Sequence, residues 1–211
     1  MSTTKQECTL VLVNLSDQEQ TDEFRRQRQI CGWDFDDRFI EFCRTEIEAK
    51  TKALFWITIP SPPTQAESTT IRAGHISLDS KSSDPEIARL DKSILTITTL
   101  FVLPEHRLKG LGQDAFLKVE QLATQEPYGS ANCRTIALNA VNWKFKFLDS
   151  EEWHDYWEEP RRKTTYPKTQ NVQWYQKLGY KAFKEEPRFP NELVDGTKIV
   201  FAAVFLRKEL R

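Results

Sequence analysis

The sequence has almost no net charge, because its 211 residues carry 30 Lys and Arg against 31 Asp and Glu. A protein that binds nucleic acid or an anionic membrane by bulk electrostatic attraction needs a strongly basic balance, so we expect neither partner. Hydrophobic residues make up 39% of the chain, which suits a packed globular core. The length and composition predict a single domain covering residues 1–211.

Long hydrophobic runs are also missing. No stretch approaches the roughly 18 apolar residues of a membrane span. The first residues, MSTTKQECTLVLVNLSDQEQ, lack the basic segment and the apolar segment of a secretory signal. We therefore expect a soluble, cytoplasmic protein.

The four cysteines are scattered, with no CxxC pair and no histidine at metal-ligand spacing. Such isolated thiols are usually small buried or surface side chains. We predict no metal site and no structural disulfide at Cys8, Cys31, Cys43 and Cys133.

Alternating strand and helix patterns run along the chain. β-branched and aromatic residues predict seven strands, and apolar residues at helical spacing predict four helices between them. This order indicates an α/β (α+β) fold. The predicted strands are 8–15, 53–60, 70–78, 93–103, 133–141, 180–184 and 198–206, and the predicted helices are 17–30, 36–50, 111–125 and about 168–178.

The segment RLKGLG, Arg107 to Gly112, stands between a predicted strand and a predicted helix. Glycines at a helix start let a ligand approach the backbone, and the first-turn N–H groups have no partner within the helix. The helix dipole, Arg107 and Lys109 add positive charge, which suits a pyrophosphate. A tight turn without a ligand is the alternative. The P-loop pattern GxxxxGK[ST] and the dinucleotide pattern GxGxxG with a later acid are both missing.

Three segments in chain order carry a resemblance to a known family. These segments are LFVLPEHRLKGLG, CRTIALNAV and WYQKLGYKAF. In that order they resemble the pyrophosphate-binding segment, the following strand and the helix-to-strand segment of one family, the GNAT superfamily of acyl-CoA-dependent N-acetyltransferases. The matched region runs from 93 to 183 and includes an unmatched insertion. The resemblance implies a mixed, mostly antiparallel sheet of about seven strands with helices on both faces. Acetyl-CoA would lie where the fourth and fifth strands splay apart.

The resemblance also implies roles for individual residues. Pantetheine would pair with the end of the fourth strand, where an amide near Val102 would hold the oxyanion, and the pyrophosphate would bind the glycine turn. Tyr175 matches the family tyrosine that donates a proton to the leaving thiolate, and its alternative is a core aromatic. The cofactor-binding residues predicted in this way are Leu100, Phe101, Val102, Leu103, Arg107, Leu108, Lys109, Gly110, Leu111, Gly112, Gln113, Asn171 and Tyr175.

The sequence offers several candidates for the general base. The family often has an acid four residues before the valine, and Thr98 occupies that position here. His75 is our candidate base because an unperturbed histidine has a pKa near 6.5. The Asn commonly found seven residues before the tyrosine is replaced by Lys168, whereas Asn171 lies four residues before it. The other candidate bases are Asp79, Glu105, His154, Asp155 and a water chain.

A long segment follows the fifth predicted strand, and its sequence is NWKFKFLDSEEWHDYWEEPRRKTTYPKTQ. Six acids fall between Asp149 and Glu159, interleaved with aromatic residues. One interpretation is an amphipathic helix that packs its Trp residues on the domain. The other is an acceptor wall that surrounds a cationic amine through cation–π and Coulomb attraction. The predicted substrate-binding residues are Trp153, Asp155, Trp157 and Glu158.

These observations predict an N-acetyltransferase that moves the acetyl group of acetyl-CoA to a primary amine by direct attack. A small cationic amine is the preferred acceptor, and a peptide or protein amine is the alternative within the same chemistry. A CoA-binding interaction protein without turnover is the alternative from a different class, because Thr98 replaces the usual acid.

Overall fold

The computed structural model describes residues 6–61, 70–163 and 171–210. The chain divides into two compact units, Met1–Ile136 and Ala137–Arg211. Eight strands and four α-helices lie within the described residues. None of the described helices is long and apolar enough to cross a membrane.

The first unit contains an antiparallel arrangement of four strands with three helices. The strands are neighbours in chain order, and every pair is antiparallel. A short 3-10 turn (Pro104–His106) follows the fourth strand and precedes the third helix. The elements are β1 (Thr9–Leu12), α1 (Gln18–Cys31), α2 (Asp37–Glu48), β2 (Lys52–Pro60), β3 (Thr70–Asp79), β4 (Ile94–Val102) and α3 (Leu111–Leu122).

Helices α1 and α2 cover one face of these strands. α1 begins after Asp17, whose carboxylate accepts hydrogen bonds from two first-turn amides, and it ends at Gly32 with φ 81°. Apolar side chains of both helices pack on β2 and form one buried cluster. This cluster comprises Val13, Leu15, Phe24, Ile40, Cys43, Leu54 and Trp56.

Helix α3 lies on the opposite face. Successive residues of a strand point to opposite faces of a sheet, and β4 ends with Phe101 and Val102. Phe101 contacts His75, which itself meets Phe24 of α1. Val102 instead approaches Gly112 of α3. The first unit therefore carries helices on both faces, as the resemblance implies.

The second unit contains the remaining elements. Strand β8 lies between β5 and β7, β7 and β8 are antiparallel, and β6 pairs with β5. The elements are β5 (Thr135–Phe147), which begins at the end of the first unit, β6 (His154–Asp155), α4 (Asn171–Lys177), β7 (Lys181–Glu192) and β8 (Lys198–Glu209).

All seven predicted strands are confirmed, although β5, β7 and β8 run further than expected and β1 is shorter. The amphipathic-helix interpretation of the insertion is wrong. β5 continues to Phe147, and the chain then returns as β6, which pairs Lys144 with Asp155 and Phe145 with His154. The first residues of the predicted last helix, 168–170, lie outside the described residues, and α4 covers the rest.

Aromatic packing explains why the insertion folds back as a strand. Phe145 and Tyr156 are buried, and both contact Phe201 of β8. Trp143 packs on Tyr156 at 5.7 Å between ring centroids and on Trp157 at 5.1 Å. These aromatic rings form the core of the second unit, so their burial stabilises the hairpin.

Candidate functional site

The glycine turn adopts the conformation that its sequence predicts. Gly110 precedes α3 with φ 84°, and Leu108 is fully exposed with φ 62°. Positive φ costs glycine nothing, whereas it strains leucine. Leu111, by contrast, is buried and anchors the start of the helix. The chain therefore turns sharply between β4 and α3.

The N-terminus of α3 is open to a ligand. No side chain of the described residues caps it. The first-turn amides include those of Leu111, Gly112 and Gln113, which have no intrahelical partner, while the amide of Asp114 donates to Gly110 O at 3.0 Å. A Cβ on Gly112 would meet a single described atom within 4 Å, Val102 Cγ2 at 3.6 Å. The arrangement leaves room for an anion against the backbone.

Two basic side chains flank this helix start. Arg107 donates from Nε to Val102 O at 2.8 Å, and its Cζ lies 5.4 Å from the Phe101 ring centroid. Lys109 donates from Nζ to Glu105 O at 3.0 Å. These contacts hold both cations beside the turn, where they add to the positive end of the helix dipole.

Backbone groups at the end of β4 already make hydrogen bonds within the first unit. Val102 O accepts from Arg107, and Leu103 N donates to Ala73 O at 2.9 Å. Phe101 is buried, while Leu100 and Val102 are half-buried. The Leu103 amide is therefore committed to β3, which removes it from the predicted pantetheine contacts.

Gly74 allows the close approach of β3 and β4 that sets the position of this strand end. A Cβ on Gly74 would lie 2.2 Å from Phe101 O and 3.0 Å from Val102 Cα. These atoms belong to the backbone, so they cannot move away unless the strands separate.

Gly74→Ala should therefore destabilise the protein by roughly 1–3 kcal/mol or more, as overpacked sites do. Thermal unfolding would show a fall of about 2–4 °C in Tm for each kcal/mol. Gly112→Ala is the matched control, because its new Cβ makes only an ordinary contact. Equal melting temperatures for the two variants would contradict the close approach of the strands.

His75 is placed where it cannot act as the base. Its side chain is completely buried, lies 4.9 Å from the Phe24 ring centroid, and has Nδ1 2.9 Å from Gln27 Oε1. Gln27 Nε2 donates to Glu23 and to Arg72 O, which fixes the amide so that Oε1 faces the imidazole. Burial lowers the pKa of His75 well below its usual value near 6.5. His75 is thus a neutral core residue, and we do not assign the base to it.

Tyr175 lies in α4, in the second unit. It is half-buried and packs edge-on against Trp174 at 4.9 Å between ring centroids. Its backbone carbonyl accepts from the amides of Leu178 and Tyr180, which closes the helix. Burial raises the pKa of Tyr175 to about 12. The phenol therefore stays protonated near neutral pH and retains a proton that it can donate.

A cavity of about 440 Å³ lies beside α4 in the second unit. Its lining includes Asn171, which was predicted to bind the cofactor, and Asp155 and Trp157, which were predicted to bind the acceptor. Trp153 and Glu158 are exposed and do not line it. The remaining lining residues, which the sequence did not reveal, are Val141, Asn142, Trp143, Lys144, Val172, Gln173 and Gln176.

The acidic run of the insertion is partly neutralised. Lys146 Nζ lies 2.8 Å from Glu151 and Arg161 Nε lies 2.8 Å from Glu159. In addition, Lys144 lines the same cavity as Asp155. The cavity therefore carries both signs of charge together with side-chain amides.

The described residues contain no cluster of three or more His, Cys, Asp or Glu side chains that could hold a metal ion. The four cysteines are free thiols, and Cys8, Cys43 and Cys133 are buried. Burial is the main cause that raises the pKa of Cys8 to about 12.

Solved structures with a similar fold were found. Arabidopsis thaliana NAA60 in complex with a bisubstrate analogue superposes with a TM-score of 0.60 at 15% identity, over 97% of this chain and 99% of that one. An aminoglycoside 6'-N-acetyltransferase complexed with coenzyme A gives 0.54 at 12% identity, over 95% and 96%. A chimera of the Vibrio cholerae spermidine N-acetyltransferase SpeG and hSSAT gives 0.55 at 12% identity, over 96% and 95%.

No protein-family model matches the sequence, and no curated protein matches it. The similarity to the solved structures therefore concerns the fold. The chain has the fold of these N-acetyltransferases, which confirms the fold class that the resemblance implies.

Proposed function

We propose that this protein is an acyl-CoA-dependent N-acetyltransferase that moves the acetyl group of acetyl-CoA to a primary amine. The observation that carries the proposal is the uncapped start of α3, where Gly112 leaves the backbone accessible beside Arg107 and Lys109. Amides, helix dipole and two cations converge there, which fits the pyrophosphate of CoA. The shared fold supports the same conclusion, because acetyl-CoA, CoA and a bisubstrate analogue are bound in structures of similar proteins.

The chemistry is direct attack of a neutral amine on the thioester carbon. The C–N bond forms, the C–S bond breaks, and the leaving thiolate needs a proton. Tyr175 supplies it in our proposal, because its phenol carries a proton near neutral pH. An N–H donor of the β4 backbone near Val102 stabilises the oxyanion, as fixed dipoles do in acyl transfer.

The cavity beside α4 is the proposed acceptor site. Its volume of about 440 Å³ falls in the range of small-molecule pockets. Asp155 offers a carboxylate to the ammonium group of the acceptor, while Trp143 and Trp157 offer ring faces. A small cationic amine is therefore the first acceptor class to test.

A peptide amine is the second candidate, and the mixed lining of the cavity favours it. Asn142, Gln173 and Gln176 can both donate and accept hydrogen bonds, and Lys144 can donate to a carbonyl. An acceptor that combines an ammonium group with amide groups would use all of these side chains.

A panel of amines tests the proposal. The purified protein is incubated with acetyl-CoA and, separately, spermidine, cadaverine, tyramine, glutamate and a hexapeptide with a free N-terminus. We expect thiol release and acetylation of at least one cationic acceptor, with glutamate inactive. Preference for the hexapeptide over all three amines would select the peptide class. Binding of acetyl-CoA without thiol release for any acceptor would instead indicate an interaction protein and overturn the enzyme proposal.

Asp155→Asn should raise KM for a cationic acceptor about fivefold, because a partly exposed charge pair contributes up to about 1 kcal/mol. KM for acetyl-CoA should not change. Added salt should shrink the difference, since exposed charges are screened over about 8 Å near physiological ionic strength. Steady-state kinetics with each substrate varied in turn would measure these effects.

Glu158→Gln is the matched control for that variant, because Glu158 is exposed and does not line the cavity. It should retain the wild-type KM. If both variants behave alike, the acceptor does not contact Asp155 and the cavity is not the acceptor site.

A further inference from the structure

A second cavity lies within the first unit, beside the end of α2. Its volume is about 260 Å³. The residues that line it come from the end of α2, from β1, β2 and β3, and from the chain that follows α3. Most of them are apolar or aromatic, and these members are Leu12, Ile47, Ala53, Leu78, Pro127 and Tyr128.

The wall that follows α3 is held by contacts of the protein itself. The Tyr128 ring packs edge-on against Phe55 of β2 at 5.1 Å between ring centroids. Lys92 Nζ donates to Pro127 O at 2.9 Å and to Gly129 O at 3.1 Å. These contacts fix the wall against the strands. The cavity is therefore largely pre-formed, as small-molecule sites usually are.

Lys50 supplies the unpaired charge of this cavity. It is exposed and makes no ion pair with any of the described residues. The other cation of the lining, Lys52, lies 2.6 Å from Asp79 and is neutralised by it. The nearby acid of α2, Glu46, lies 2.6 Å from Lys81. An apolar cavity with one free cation at its edge suits a ligand that carries a single negative charge on an apolar body.

The negative end of the α2 dipole does not cancel this charge. Carbonyl groups in the last turn of the helix accept hydrogen bonds from the amides of the three residues that follow it, Ala49, Lys50 and Thr51. A helix end carries about half an elementary charge, which is less than the full charge of the Lys50 ammonium. The local balance therefore favours an anion.

This cavity is separate from the proposed pyrophosphate site. Pro127 and Tyr128 follow the C-terminal end of α3, whereas the glycine turn precedes its N-terminal end. A helix of 12 residues is about 18 Å long. A ligand small enough for the cavity cannot reach both ends, so the two sites should be occupied independently.

We propose that this cavity binds a small anionic amphiphile, a medium-chain carboxylate whose chain contacts the apolar walls and whose carboxylate pairs with Lys50. Burial of the methylene groups drives the binding, and the cation sets the orientation. The volume lies below the range of about 300–1,000 Å³ that suits drug-sized ligands, which limits the length of the chain. Octanoate is the probe that we choose. This site does not depend on the proposed acetyl-transfer function.

Calorimetric titration with octanoate and with the uncharged 1-octanol tests the role of Lys50. Lys50 has φ 57°, and asparagine adopts such a conformation more readily than most residues, so Lys50→Asn removes the charge without new backbone strain. We expect saturable octanoate binding that is about fivefold weaker in Lys50→Asn, as for a partly exposed charge pair. 1-Octanol should bind equally to the wild type and to this variant.

Arg38→Gln is the matched control for the loss of one positive charge. Arg38 is exposed near the start of α2 and does not line the cavity. This variant should bind both probes like the wild type. If it weakens octanoate binding as much as Lys50→Asn does, the effect is one of net charge and the pairing with Lys50 is wrong.

Ala53→Leu tests the location of the ligand. Ala53 lies two residues before Phe55 on β2, so both side chains point to the same face of the strand, toward Tyr128. A leucine there should fill part of the cavity and weaken both probes at least tenfold, while a thermal melt shows that the variant is folded. Unchanged affinity in the folded variant would place the probe elsewhere and overturn the proposal.

Saturating CoA provides the last comparison. It should leave the affinity for octanoate unchanged, because the two ligands occupy opposite ends of α3. Competition between CoA and octanoate, or the lack of saturable octanoate binding to the wild type, would also overturn the carboxylate site. Neither result bears on acetyl transfer, which the amine panel tests separately.

Discussion

Gly112→Glu should weaken acetyl-CoA binding at least about a hundredfold. The substitution places a carboxylate among the first-turn amides of α3, beside the proposed pyrophosphate. Two unit charges about 4 Å apart near a protein surface repel by roughly 4 kcal/mol, and about 1.4 kcal/mol corresponds to a tenfold change in Kd. Titration calorimetry with acetyl-CoA would measure the loss directly.

Gly112 is a better position for this test than Gly110. Gly110 has φ 84°, so any side chain there strains the backbone. A loss of acetyl-CoA affinity in such a variant could then come from a loss of stability. Gly112→Ala is the control, because its Cβ makes only the 3.6 Å contact with Val102 Cγ2. It should lose less affinity for acetyl-CoA than Gly112→Glu, because it adds a methyl group without a charge beside the proposed pyrophosphate. Wild-type affinity in a folded Gly112→Glu variant would refute the pyrophosphate site.

Tyr175→Phe should lower the rate of acetyl transfer by about tenfold to a thousandfold, within or below the usual range for general acid catalysis. The ring and its packing on Trp174 remain, so acetyl-CoA binding should persist. Single-turnover kinetics isolates the chemical step from product release. A single-turnover rate equal to that of the wild type would exclude Tyr175 as the proton donor.

The pH dependence gives a second test of Tyr175. Burial raises the pKa of its phenol to about 12, so the donor form persists at neutral and moderately alkaline pH. We expect no alkaline loss of kcat from Tyr175 until the pH approaches that value. A loss below about pH 10 that disappears in Tyr175→Phe would show an ordinary, unshifted tyrosine pKa, since unperturbed tyrosine titrates near 10.

The fold could be predicted largely from local patterns, because most strands and helices here have strong periodicity and clear ends. The insertion shows where that approach fails. Trp143, Phe145 and Phe147 alternate with polar residues, as a strand requires, while Trp153 and Trp157 are four apart, as a helix allows. Burial of the rings against Phe201 decides between the two, and that contact involves residues more than 40 positions away.

The glycine turn could be predicted for the same reason as the strands, since its function depends on consecutive residues. The general base could not be predicted in this way, because it depends on residues that are distant in the sequence. His75 has a suitable side chain, but packing against Phe24 and Phe101 buries it completely. Asp79, another candidate, accepts a hydrogen bond from Thr98 only because a bulge sets the register of β3 and β4. Neither burial nor register is visible in a single sequence.

The transfer of a labelled acetyl group tests the central claim most directly. The wild type and Gly112→Glu are incubated side by side with deuterated acetyl-CoA and the amine panel, and acceptors and free thiol are measured together. We predict that the wild type transfers the labelled acetyl group to an amine with one thiol released per amide formed, and that Gly112→Glu does so far more slowly. Absence of labelled amide with every acceptor, or equal transfer by both proteins, would contradict the account.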